Sequence, residues 1–204
     1  IAWAQELERA LGISANDLIA DLKEISAVLY GLGMSSEDTA LGAQNLGMMS
    51  RYLGMMGLAG GNVDQVMTKL ASGMKGMTQA IDDLGLSVRD SQMQNFIKNL
   101  KNGTNELGKT LREQGVDLSN MGDDFSSLNE QARVYIRYSA LITQFKENYD
   151  LKDFAKQLNT TTGRLSILSQ TWSNLAATIG VAFTKVGAYL AGFLIPIIKR
   201  IETY

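Results

Sequence analysis

Residues 36–61 read SEDTALGAQNLGMMSRYLGMMGLAGG, and the fold turns on how this glycine-rich stretch is taken. Ser36, Ala40, Ala43, Gly47, Ser50, Gly54, Gly57 and Gly61 alternate four and three residues apart, and every one is small. That spacing places them on one stripe of a helix predicted over about residues 36–58. Beside the stripe, Leu46-Gly-Met-Met and Leu53-Gly-Met-Met repeat seven residues apart. Small side chains along one face let a second backbone approach closely. Each glycine disfavours helix by roughly 0.8–1.0 kcal/mol relative to alanine, so an ordered stripe of them implies a packing partner. The competing reading is a loosely ordered glycine-rich linker. The methionines beside the stripe read as core fillers rather than ligands.

A second stripe runs down the last quarter of the chain. Phe154, Leu158, Thr161, Leu165, Leu168, Trp172, Leu175, Ile179, Ala182, Val186, Tyr189 and Phe193 again alternate four and three apart, with Thr161 and Ala182 its weak members. A 3.5-residue period held over five heptads predicts a coiled-coil-like helix lying along another helix. About forty residues of it span roughly 60 Å. Pro196 should kink or end it. Leu175 to Ile198 is also near the length of a membrane span, but Lys185 sits mid-segment. A lysine there costs about 2.5–3.5 kcal/mol on insertion scales, which favours packing over insertion.

Working outward, Trp3 to Leu11 predicts a short helix stopped near Gly12. Ser14-Ala-Asn-Asp17 reads as a capping box, and Leu18, Leu22, Ile25, Leu29 and Leu32 follow on one helical face. Gly31 and Gly33 are its breakers; Ser35 or Ser36 caps the next helix, with Glu37 and Asp38 in its first turn. Gly60-Gly61-Asn62 reads as a turn and cap before a helix bearing Val63, Val66, Met67, Leu70 and Met74. A short helix over Thr78 to Leu84 ends at Gly85, and Asp90 to Asn102 carries Met93, Phe96, Ile97 and Leu100. Residues 103–125 are polar and glycine-containing. A longer helix is predicted from Ser126 or Ser127 to Tyr149, facing inward with Leu128, Tyr135, Tyr138, Ile142, Phe145 and Tyr149. Asp150-Leu-Lys-Asp153 would stop it and cap the last helix, giving a hairpin or a kinked rod. The predicted class is all-α. Residues 1–125 form a bundle of short and medium helices with Gly-rich turns, and 126–204 form a long helical hairpin or rod ending in an apolar segment.

Composition closes several routes to chemistry. The 204 residues include no cysteine, no histidine and one proline. No histidine means no Ser-His-Asp machinery and no imidazole metal site; no cysteine means no disulfide framework and no thiolate zinc site. Nineteen basic residues against twenty-one acidic give no field that favours nucleic acid, so no sequence-specific nucleic-acid partner is expected. Ile1 opens the chain without a signal-peptide pattern, which reads as an internal piece of a longer protein, with removal of a leader as the alternative.

Two motifs carry chemistry on paper. Gly103-Thr-Asn-Glu-Leu-Gly108-Lys109-Thr110 matches the phosphate-loop pattern. That loop needs a buried strand before it, and Phe96-Ile-Lys-Asn-Leu-Lys101 has helical spacing instead. A turn at Gly103 and a helix through Leu107 and Leu111 are expected. Asp82-Asp83 and Asp123-Asp124 are the carboxylate pairs, but adjacent helical residues diverge, so both read as solvated caps. No catalytic, cofactor or metal residue is expected, and the chain is not read as an enzyme.

Four stretches then take on a meaning together. They are Ala27-Val-Leu-Tyr-Gly-Leu-Gly-Met-Ser-Ser36; Val66-Met-Thr-Lys-Leu-Ala-Ser-Gly73 through Ile81-Asp-Asp-Leu-Gly-Leu86; Ala132-Arg-Val-Tyr-Ile-Arg-Tyr-Ser-Ala-Leu141; and Asp153-Phe-Ala with Leu165 and Trp172-Ser-Asn-Leu-Ala-Ala-Thr-Ile-Gly180. In order and spacing the chain resembles the core region of phage tail tape measure proteins, over about Leu7 to Pro196. It departs from the pattern after Gly73, where the family is usually more acidic with a proline before the Leu-Gly pair, and Met74 to Asp83 has none. The resemblance implies a long helical protein packed in several copies inside the tail tube of the virion, made in the host cytoplasm during assembly. Its length sets tube length, and it is released during DNA ejection. The implied partners are other copies of the chain, tail-tube and tail-tip proteins, and tail chaperones. The alternative from another class is a membrane-active helix that assists DNA translocation or forms a pore.

Overall fold

The computed structural model describes residues 14–113 and 124–149, with the single positions 5, 8, 115 and 118. The stripe from Phe154 to Phe193, the apolar segment Leu175–Ile198, Pro196 and most of the predicted Trp3–Leu11 helix lie outside the described residues. Among those described, every element is helical and no strand occurs, as the all-α expectation holds.

Helix α1 (Ala15–Gly31) begins where Ser14 Oγ accepts from the Asp17 amide at 3.5 Å. Leu18, Ile25 and Leu29 are buried, with Leu22 and Leu32 partly buried against the same core. A turn at Gly33, whose φ of +89° suits glycine, leads to α2 (Ser36–Met55). Of the two candidate caps, Ser35 serves: its Oγ accepts from the Asp38 amide at 3.1 Å and its hydroxyl donates to Asp38 Oδ2 at 2.6 Å. Helix α3 (Val63–Met74) starts at Asn62, whose Oδ1 accepts from the Gln65 amide at 3.1 Å. The single turn α4 (Gln79–Asp82) follows, then α5 (Asp90–Asn102) and α6 (Glu106–Glu113). The four apolar residues predicted for α5 are all buried, and its bounds match the spacing.

The last described helix, α7 (Glu130–Asn148), starts later than expected. Asp124 takes the amide of Ser126 at 2.9 Å and its hydroxyl at 2.7 Å, which fixes Phe125–Ser127 as a short 3-10 turn. Asn129, rather than Ser126 or Ser127, then caps the helix by accepting from the Ala132 amide at 2.8 Å.

Helix α2 is the centre of the packing. α1 and α3 run along it, and α7 lies against α2, α3 and α5. One hydrophobic cluster takes in residues from Leu18 to Phe145, so 126–149 packs into the same core as the helices before it. From Gly42 to Gly54, α2 is buried on nearly all sides. The same holds for α7 from Val134 to Ile142. A helix buried all round is a core helix, not a surface stripe. Burying each of its large apolar side chains stabilises the fold by about 1.5–3 kcal/mol before entropy is counted.

Candidate functional site

The small-residue stripe is where sequence placed the packing site, and its middle does meet other helices. A methyl added at Gly47 would lie 3.2 Å from Leu22 Cδ2 of α1. One at Gly54 would lie 2.9 Å from Val63 Cγ2 and 3.4 Å from its Cα, at the start of α3. Ala43 and Ser50 are buried as well, and the Ser50 hydroxyl donates to the Gly47 carbonyl at 2.8 Å. These contacts join helices of one chain.

Both ends of the stripe need correction. Ser36 and Ala40 are exposed, because they lie on the outer side of the first turns of α2, whose inner side carries the buried Thr39 and the Asp38 that Tyr135 bonds. Gly57 is not helical: α2 stops at Met55, and Gly57 takes φ of +83°, while Gly61, at φ of +77°, sits in the turn before the Asn62 cap that Gly60-Gly61-Asn62 predicts. A methyl at Gly57 would meet nothing within 4 Å. Conversely, Gly42 lies off the predicted stripe and is tightly covered, with Leu29 Cδ1 at 2.9 Å and Tyr138 Cε2 at 3.7 Å from a notional methyl.

The large side chains opposite come from α7. Tyr52 of α2 meets Phe145 edge-on at 5.2 Å, and Tyr149 joins both at 5.6 and 5.4 Å. Such aromatic pairs add about 0.5–1.5 kcal/mol beyond area burial. All the inward residues predicted for this helix are buried or half-buried.

Polar side chains that spacing did not single out fix the register of α7. Asn45, 0% exposed, donates from Nδ2 to the Tyr138 hydroxyl at 2.6 Å. Its Oδ1 is buried without a hydrogen-bond partner. Burial pushes the Tyr138 phenol well above its ordinary range, against the pull of Asn45. The Tyr135 hydroxyl donates to Asp38 Oδ2 at 2.6 Å, tying α7 to the cap of α2. Burial first, and then that carboxylate, push its phenol up as well. Arg137, 7% exposed, donates to Glu130 Oε1 at 3.0 Å and to the Met74 carbonyl at 3.3 Å, where the α3 dipole favours a cation. Its guanidinium carbon stands 5.4 Å from the Phe125 ring centroid. Gln144 pairs both ways with the Ser87 backbone, at 2.8 and 2.9 Å. Between α1 and α2, Arg51 pairs with Asp21, whose carboxyl burial raises despite the arginine.

The phosphate-loop match folds as two helices and a turn. The preceding segment is α5, and Gly103 closes it with φ of +63°. The amides that such a loop would offer a phosphate are engaged: Gly108 N donates to Asn105 Oδ1 at 2.7 Å, and Lys109 N to the Asn105 carbonyl at 3.1 Å. A methyl on Gly108 would lie 2.3 Å from the Leu100 carbonyl oxygen, so this glycine serves close packing of α6 on α5. The carboxylates diverge: Asp82 pairs with Arg89 and Asp83 with Lys69, each at 2.5 Å. Asp124 caps the 3-10 turn, with its carboxyl held low chiefly by Ser126, and Asp123 lies outside the described residues. Among the described residues no group of three or more acidic side chains is placed to hold a metal.

In comparison with known proteins, no protein-family model, no curated protein and no solved structure matches the chain.

Proposed function

We propose that this chain is a structural module of a phage tail tape measure protein. In this reading it packs as helices inside the tail tube, helps set tube length, and leaves the tube when DNA is ejected. It acts without cofactor or catalysis, through self-association and contact with tail-tube and tail-tip proteins and tail chaperones.

One observation carries the reading: three of the four resembling stretches coincide with segments that build the helix contacts. Ala27–Ser36 supplies the end of α1, the Gly33 turn and the cap of α2. Val66–Gly73 is the body of α3, and a methyl on Gly73 would lie 2.8 Å from Ile81 Cγ2, inside the second half of that stretch. Ala132–Leu141 takes in most of the part of α7 that is buried all round. The fourth stretch lies outside the described residues.

The membrane-active reading rests on Leu175–Ile198, also outside them. Among the described residues no helix is long and apolar enough to cross a membrane.

The test is an immunoblot against this segment on purified phage-like particles from the source organism. A band in the tail fraction, at a mass well above 22.2 kDa, is expected. Absence from particles with signal in cell membranes would overturn the tail reading in favour of the membrane one.

A further inference from the structure

Asn102-Gly103 is the one place in the chain where glycine follows an asparagine. Every other asparagine, from Asn16 to Asn174, precedes a residue with a side chain. Asparagine is a chemically labile residue. Its lability comes from attack by the next backbone nitrogen on its own side-chain amide. A side chain on the following residue crowds that attack, whereas glycine carries none and turns freely. The structure puts the pair at the surface: Asn102 is exposed and is the last residue of α5, and Gly103 takes φ 63° and ψ 30°.

The closed turn holds the attacking nitrogen back. Gly103 N donates to the Leu100 carbonyl at 3.1 Å. Thr104 donates to the Asn99 carbonyl from its amide at 2.9 Å and from its hydroxyl at 3.1 Å. Arg112 reaches across from α6 to bond the Lys101 carbonyl at 2.7 Å. Ring closure needs Asn102 to leave its helical backbone, so these bonds must open first. Both side-chain bonds are exposed, and a helix end held in this way opens far more often than the core. Helix α6 rests directly on the turn: a methyl on Gly108 would lie 2.3 Å from the Leu100 carbonyl oxygen and 3.0 Å from Gly103 Cα. There is no slack between the two helices to absorb a longer backbone.

We propose that Asn102 is a self-modification site: when the last turn of α5 opens, Asn102 deamidates, and its isoaspartyl product releases α6 from α5. The Gly103 nitrogen gives its proton to solvent base and attacks Asn102 Cγ. A C–N bond forms, the Cγ–Nδ2 bond breaks, and the side-chain nitrogen leaves as ammonia with a proton from water. The five-membered imide then takes up one water. Opening at Cγ gives an aspartyl residue, and opening at the main-chain carbonyl gives an isoaspartyl residue, whose backbone runs through the side-chain carbons. The aspartyl product keeps the turn, because its carboxylate falls beside Arg112, which stands over Gly103 with Cζ 2.9 Å from a notional methyl. The isoaspartyl product breaks the spacing on which the bonds to Leu100 and Asn99 depend. Helix α5 stays in place against α7, while Leu107 and Leu111 of α6, both fully buried, lose their cover. The proposal is independent of the tail reading, so the immunoblot above and the experiment below fail separately.

The full chain is incubated in mildly alkaline buffer and compared with an unincubated sample. Trypsin cuts after Lys101 and Lys109, so Asn102 and Asn105 travel in one peptide, and fragmentation in the mass spectrometer scores both. Asn102 is expected to convert several-fold faster than Asn105 and every other asparagine, with isoaspartate, detected by enzymatic methyl transfer, among the products. Hydrogen exchange of the aged chain should speed up over residues 104–113 and stay unchanged in α7. An intact Asn102, or equal rates at Asn102 and Asn105, overturns the site. Isoaspartate with unchanged exchange over 104–113 overturns the release. Arg112→Ala removes the bond to the Lys101 carbonyl and should speed conversion several-fold; an unchanged rate overturns the turn as the gate. Asn102→Asp brings the charge without the longer backbone and should keep the exchange pattern of the fresh chain. Release of α6 in that variant overturns the isoaspartyl mechanism.

Discussion

Helices α2 and α7 are both buried on nearly every side through their middle, and they are built from opposite materials. Helix α2 brings Gly42, Ala43, Gly47, Ser50 and Gly54, so neighbouring side chains rest almost on its backbone. Helix α7 brings the large buried side chains Tyr135, Tyr138, Ile142 and Phe145, of which Tyr138 reaches over Gly42, while Leu22 of α1 and Val63 of α3 cover Gly47 and Gly54. One helix makes room for its neighbours, and the other fills space with bulk of its own. The two should therefore fail in opposite ways: α7 when atoms are removed, α2 when they are added.

Removal on α7 is the larger effect. Phe145 is fully buried, edge-on to Tyr52 and beside Tyr149. Phe145→Ala should cost about 3–5 kcal/mol, the usual loss for a buried aromatic whose site cannot collapse. Urea unfolding followed by circular dichroism reads it directly. A cost under about 1 kcal/mol would mean that the contact of α2 with α7 is loose.

Addition on α2 comes next. Gly54→Val places branched carbons against Val63, including its backbone, and a backbone cannot swing aside as a side chain can. Overpacking of this kind costs about 1–3 kcal/mol. The same urea measurement checks it, and a neutral result would show that the start of α3 moves freely away from α2.

The polar pair between the helices is smaller and depends on pH. Tyr138→Phe leaves Asn45 without its partner and should cost roughly 1–2 kcal/mol, within the range for stranding a buried polar group. The phenols of Tyr135, Tyr138 and Tyr149 are all pushed above the ordinary value of 10.0, mainly by burial. The folded chain thus keeps these protons after the unfolded chain has begun to lose them. Their contribution is fully present below about pH 10 and is lost as pH climbs toward the folded-state values. Stability should fall with rising alkaline pH, and the fall should be shallower in Tyr138→Phe. Equal slopes in the two proteins would rule out Tyr138 as a titrating core group.

How far all this could be read beforehand depended on which force set each feature. Helix α5 was legible to the residue because Met93, Phe96, Ile97 and Leu100 form a local 3.6-period face closed by Gly103. Ser14 and Asn62 were legible as caps because capping is satisfied within three residues. The stripe of α2 was legible only in its middle. Glycine tolerates helix and also suits left-handed turns, so spacing alone carried Gly57 into a helix that ends before it. Ala40 has the right spacing but no neighbour to cover it. Asn45 and Arg137 had a faint local signal, a polar residue inside an apolar run. Their partners stand 93 and 63 residues away in sequence, and only the packing of α7 brings them together.

The smallest effect is also the one that tests the comparison by its sign. Gly31 ends α1 with an ordinary backbone, and a methyl there would meet nothing within 4 Å. Gly31→Ala removes freedom from the unfolded chain and touches no neighbour, so it should stabilise by about 0.4–1 kcal/mol. Gly42→Ala adds the same methyl 2.9 Å from Leu29 Cδ1 and should not. The two substitutions add the same methyl, and Gly42, inside α2, has at least as much helix propensity to gain as Gly31 at the end of α1, so a lower midpoint for Gly42→Ala reports what covers α2. Equal midpoints would mean that Leu29 yields without cost, and that the glycines of α2 are placed for backbone reasons and not to admit a neighbour.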